Sequence, residues 1–90
     1  MIVGSIEYSS TFVHQLKKLP RNIILKTEKI ELIFRTNPLH PSLRLHELHG
    51  KFQGFWSISI SHQYRIVFER MSSGDIVFIS IGSHDIYRSL

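Results

Sequence analysis

Hydrophobic and polar positions follow three successive periods along this chain. From Ile2 to Tyr8, Ile2, Gly4, Ile6 and Tyr8 share one parity and Val3, Ser5 and Glu7 the other, which predicts a strand. Ser9, Ser10 and Thr11 then offer N-cap hydroxyls, and Phe12, Leu16 and Leu19 recur at helical spacing until Pro20 stops the run. The result is a short helix with Lys17 and Lys18 in water. A longer helix is predicted from Pro20 or Arg21 to about Arg35, where Ile23, Thr27, Ile30 and Phe34 form one stripe. Ile24, Leu25, Leu32 and Ile33 widen that stripe, enough to meet a sheet and the first helix, or a partner chain.

Asn37-Pro38-Leu39-His40-Pro41 ends the helical half, because each proline disfavours helix at the residue before it. The period then returns to two. Phe55–Ser61 puts Trp56, Ile58 and Ile60 on one face; Tyr64–Arg70 puts Tyr64, Ile66 and Phe68 on one face and Arg65, Val67 and Glu69 on the other. Ser61-His62-Gln63 and Ser72-Ser73-Gly74-Asp75 read as turns. The run from Ile76 to Ile81 is apolar on both sides, as for a strand covered on both faces. Strand, two helices, then strands, without repeat or linker, predicts a single α+β domain over residues 1–90. Its two N-terminal helices pack on one face of a small, mostly antiparallel sheet, and the other face is left open for a long ligand.

Composition narrows the partners. Lys+Arg 11 against Asp+Glu 7 gives a formal charge of +4, and a sequence pI of about 9.8 favours an acidic partner, nucleic acid or an acidic protein segment. Six histidines supply groups that exchange protons near neutral pH. The lack of Cys removes disulfides, thiol nucleophiles and Cys-rich zinc sites together and is compatible with a reducing cytosol. No segment has the pattern of a secretion signal or a bilayer span, so a cytoplasmic protein with no membrane partner is expected.

Several residues are candidates for chemistry. Arg65 lies on the strand face opposite Tyr64, Ile66 and Phe68, where burial of an unpaired charge would be costly, so exposure is expected, either toward a ligand or as a surface pair with Glu69. Lys51, Arg44 and His49 make the approach to the strands basic and suit phosphates along a nucleic acid. Trp56 shares its face with Ile58 and Ile60 and reads as core more readily than as a stacking platform for a base. His46-x-x-His49 is only two ligands, short of a stable zinc site, so no metal and no cofactor is expected. No helix carries the spacing of a DNA-recognition helix, so operator DNA would be reached only through another protein.

The segment from His46 to Ser57, the strand Tyr64-Arg65-Ile66-Val67-Phe68 and the ending Ile81-Gly82-Ser83-His84-Asp85-Ile86-Tyr87-Arg88 resemble the RelE/ParE superfamily of type II toxins. The ending is most similar to the RNA-cutting branch that includes the YafQ and YoeB toxins. The resemblance spans essentially the whole chain, and its specific part is residues 45–88. It implies a small antiparallel sheet with two helices on one face, and a metal-independent endoribonuclease that enters the ribosomal A site. There the toxin makes the 2′-hydroxyl of mRNA attack the adjacent phosphate, and a cognate antitoxin silences it.

Such cleavage needs a base for the 2′-hydroxyl proton, positive charge on the phosphate and an acid for the 5′-oxygen. The resemblance puts His84 at a catalytic His, here the general acid, and Arg65 at the residue that holds the scissile phosphate. It puts His46 where relatives carry a presumptive base, and Tyr87 where a ring stacks on or hydrogen-bonds the substrate. The plain alternatives are a solvated His84 beside Asp85 and a His46 that caps a strand entry. Two other functions share the fold: a DNA gyrase inhibitor of the ParE type, which needs neither acid nor base, and an inactive relative kept as a binding module.

Overall fold

The computed structural model describes residues 1–88, with the side chains of His84 and Arg88 outside the described part. The order is β1 (Ile6–Tyr8), α1 (Ser10–Lys17), α2 (Arg21–Thr36), β2 (His46–Glu47), β3 (Phe55–Ser59), β4 (Arg65–Arg70) and β5 (Ile76–Gly82). Short 3-10 turns occupy Pro41–Leu43, Gly50–Phe52 and His84–Arg88. The sheet order is β1-β5-β4-β3-β2; β1 runs parallel to β5, and the other neighbours are antiparallel. This is the expected α+β class. No helix among the described residues is long and apolar enough to cross a membrane.

Both helices form where their caps and stripes predict. Ser9 Oγ accepts from Phe12 N at 2.9 Å, capping α1, and donates to Ile79 O at 2.7 Å. Pro20 opens α2, and Asn37 N closes it on Ile33 O at 2.7 Å, just before Pro38. Ile23, Thr27, Ile30 and Phe34 are buried, whereas Leu25 and Leu32 on the widened side of the stripe are exposed. Thr27 tolerates burial because its hydroxyl donates to Ile23 O at 2.7 Å. Phe34, with no exposed surface, sets its ring 5.0 Å from that of Phe68 and 6.0 Å from that of Phe78. Ile58, Ile66, Phe68, Ile76, Phe78 and Ile81 line this helix-covered face, and Trp56, half-buried, packs against them from the same side.

Three features differ from the sequence pattern. The first strand begins at Ile6, not Ile2, because Gly4 N and Ser5 N are bonded to Gly74 O and to Asp75 Oδ1 in the β4–β5 turn. Val3 then packs on the core while Ile2 is exposed, the reverse of the expected parity. Second, β5 carries a bulge: Val67 pairs with Ser80 but Phe68 pairs with Phe78, so Ile79 is the extra residue and its carbonyl is the one that Ser9 satisfies. The bulge puts Phe78 and Ile81, three apart, on the same face. Third, the sheet face away from the helices is not open along its length. Leu48, Val67 and Ile86 are buried there with Phe52, Phe55 and Tyr87 packed against them.

A candidate anion-binding and proton-transfer site

Beyond that apolar cover, the same sheet face carries a polar cluster. Leu43, fully buried, anchors the segment after α2 to the core, and Arg44 then takes the left-handed backbone region (φ 47, ψ 46). This turn delivers His46 to the edge strand β2, in register with Ser57 of β3. Arg65 pairs with Ser59 on one side and with Gly82 on the other, so it lies diagonally across from Ser57. The cluster is built from three strands and needs all of them.

Its contacts are specific. The Arg65 guanidinium donates to Ser57 Oγ through Nε at 3.4 Å and Nη2 at 3.1 Å. Arg65 Nη2 also lies 3.2 Å from His46 Nδ1, and Ser57 Oγ lies 3.3 Å from the same nitrogen. A guanidinium only donates, so His46 Nδ1 accepts. Arg65 is half-buried and His46 exposed, so a cation and an imidazole stand side by side at the surface. The surface pairing of Arg65 with Glu69 is replaced by this network.

Beside Arg65 lies a depression of about 290 Å³ whose lining includes Lys26, Arg44, Ser59, His62 and Arg65. Its charged side chains are all cationic, a setting that favours an anion. Arg44 therefore joins Arg65. Lys51 and His49 sit instead at the 3-10 turn Gly50–Phe52, with Lys51 Nζ 5.1 Å from the Phe52 ring centre. Tyr87 packs its ring 5.8 Å from that of Phe52, within the apolar cover.

The backbone of His84 opens the turn His84–Arg88 directly after β5, while its side chain lies outside the described part. Since Gly82 is the partner of Arg65, the chain keeps the two Cα atoms of Arg65 and His84 within about 13 Å. Gly82 also lets this turn fold back, because a Cβ there would collide with Ile86 Cγ2.

Sequence reading missed Ser57, Lys26 and His62. Ser57 interrupts the apolar strand with a small polar residue on the face of Arg65, a signal that parity could have given. Lys26 and His62 come from a helix and a hairpin that only tertiary packing brings together.

A two-helix layer on one face of a five-stranded, mostly antiparallel sheet, with the Arg65–Ser57–His46 cluster on the other, is a RelE-like toxin fold. A family model described as a bacterial toxin of type II toxin–antitoxin systems, YafQ, matches residues 4–88, and the chain belongs to that family. Among solved structures it is similar to YafQ from E. coli strain BL21(DE3), at 17% identity and a TM-score of 0.77, covering 92% of this chain and 96% of that one. It is similar also to the YoeB/ParE toxin from Agrobacterium tumefaciens, at 16% identity and a TM-score of 0.75, covering 90% and 99%. The E. coli DinJ-YafQ toxin-antitoxin complex matches at 23% identity and a TM-score of 0.67, covering 94% and 97%. No curated protein matches significantly by sequence.

Proposed function

We propose that this toxin is a metal-independent endoribonuclease that cuts mRNA in the ribosomal A site by 2′-hydroxyl attack on the adjacent phosphate. The observation that carries the reading is the meeting of Arg65 with His46 and Ser57 beside the cationic depression. A guanidinium there neutralises the phosphate as it gains charge, where a fixed donor is worth most. His46 stands beside Arg65; the 2′-hydroxyl proton passes to solvent water, and His84, two residues past the strand that pairs with Arg65, supplies the proton for the 5′-oxygen. Arg44, Lys26 and His62 continue the cationic surface along the RNA, with Lys51 and His49 beyond it. Tyr87, three residues after His84 in the chain, contributes its hydroxyl to the substrate from a ring packed beside Phe52.

The silencing partner is a cognate antitoxin, as in the DinJ-YafQ toxin-antitoxin complex, and operator DNA is contacted through that partner. An apolar groove of about 430 Å³ between α1 and α2, bordered by Val13, Leu16, Ile24 and Leu32 with Glu28 and Glu31, suits an amphipathic segment of such a partner. The test is brief expression in cells with cut sites mapped on transcripts, repeated for His84→Ala and Arg65→Ala. Codon-linked cuts that both variants abolish are the expected result. Growth arrest with intact transcripts and DNA damage would move the assignment to gyrase inhibition.

A further inference from the structure

Ser57 has no exposed surface and no part in the roles assigned above, yet its hydroxyl touches both polar groups of the cluster. A hydroxyl has one proton to give and two lone pairs to fill. Arg65 Nε and Nη2, which can only donate, take the lone pairs, so the hydroxyl proton goes to His46 Nδ1 at 3.3 Å. That nitrogen then receives two donors, Ser57 Oγ and Arg65 Nη2. The one acceptor near it, Arg44 O, is the longest contact at 3.5 Å, the limit for a hydrogen bond. The neutral ring therefore carries its proton on Nε2, the nitrogen outside this network.

We infer that Ser57 is a positioning residue that locks His46 in the Nε2–H tautomer, so that His46 meets the RNA phosphate as a hydrogen-bond donor and not as the base for the 2′-hydroxyl. While Arg65 Nε and Nη2 fill the lone pairs of Ser57 Oγ, that hydroxyl can only donate to Nδ1. The Nε2–H donor then points outward, and His46 adds a neutral N–H to the charge that Arg65 supplies. This rests on the nuclease reading for its consequence but not for the tautomer, which is a property of the free protein.

The test has two arms. Nitrogen-15 NMR of the free protein at about pH 8, above the ordinary imidazole range, is expected to find His46 protonated at Nε2 in the wild type and a mixture of tautomers in Ser57→Ala. In the second arm, cleavage of a ribosome-bound transcript is measured for His46→Gln, whose side chain keeps an acceptor near Nδ1 and a donor near Nε2, and for His46→Ala. Gln is expected to stay within about tenfold of wild type while Ala loses roughly 10²–10³-fold. Ser57→Ala should lower kcat about tenfold with KM unchanged, and Ser57→Thr, which keeps the hydroxyl, should recover it.

A wild-type ring protonated at Nδ1, or a Gln variant as inactive as the Ala variant, overturns the inference. If the wild type cuts no RNA, the nuclease reading fails while the NMR arm still decides the tautomer.

Discussion

Replacing Arg65 by Ala separates its part in the fold from the phosphate-binding role proposed for it. In the folded protein the side chain gives up two long bonds to Ser57 Oγ, at 3.1 and 3.4 Å, and one to His46 Nδ1 at 3.2 Å. Bonds of this kind at a half-exposed site contribute about 0.5–1.5 kcal/mol net each, less when long. Removing a cation from a rim that also holds Lys26 and Arg44 returns part of the loss. The balance is about 1 kcal/mol, a fall in Tm of roughly 4–8 °C for a domain of this size. At the transition state, loss of a preorganised charge-stabilising donor costs about 10²–10³ in rate. The assay is initial-rate cleavage of a defined transcript on purified ribosomes, paired with thermal melting followed by circular dichroism. Arg65→Lys keeps the charge but loses the planar fork, and is expected to recover about tenfold over Ala. An Ala variant that melts normally and keeps more than a tenth of the cleavage rate would refute the phosphate role.

Other perturbations have equally definite outcomes. Phe34→Ala empties the space between Phe68 and Phe78 and should destabilise by about 3–5 kcal/mol in denaturant titration. Gly82→Ala forces Ile86 off β5, so cleavage should fall while the sheet melts within about 1–3 kcal/mol of wild type. Arg44→Gly relieves the left-handed backbone and should be stabilising by up to about 1 kcal/mol, yet weaken RNA binding and flatten its salt dependence. The Ser5 backbone N–H, and after it the Ser73 hydroxyl, hold the Asp75 carboxyl below its ordinary range. Its folded pKa lies below the unfolded one, so its stabilisation is present above the unfolded value, near pH 4, and is lost as pH falls through the folded value. Asp75→Asn should therefore flatten the acid limb of a Tm-against-pH curve.

The helical half was legible because its signals are local: the Ser9 cap, Pro20, the stripe Ile23–Thr27–Ile30–Phe34 and Pro38 each act within a turn or two of chain. The strands β3 to β5 were legible for the same reason, since parity sorts Trp56, Ile58, Ile66 and Phe68 onto one face without reference to any partner. The turns at Ser61 and at Ser72–Asp75 formed as their residues dictate, the latter with Gly74 at φ 92. Parity failed where a distant group intervened. Residues 1–5 follow the β4–β5 turn, and Ile79 is bulged out of the ladder where its carbonyl meets the Ser9 hydroxyl.

The site divides in the same way. Sequence alone placed Arg65 on the face away from the helices, because alternation along one strand fixes that much, and it set His46 at the entrance to the sheet. It did not reveal that Ser57 stands between them, or that Lys26 and His62 border the same depression. Those positions lie on separate elements, and their proximity depends on register, on the bulge in β5 and on the anchoring of Leu43. Periodicity and charge marked the face of Arg65 and the basic approach to the strands, and the resemblance added His46, His84 and Tyr87 as candidates. Tertiary structure decided which of them touch, because a contact across three strands is set by long-range packing that no local period encodes.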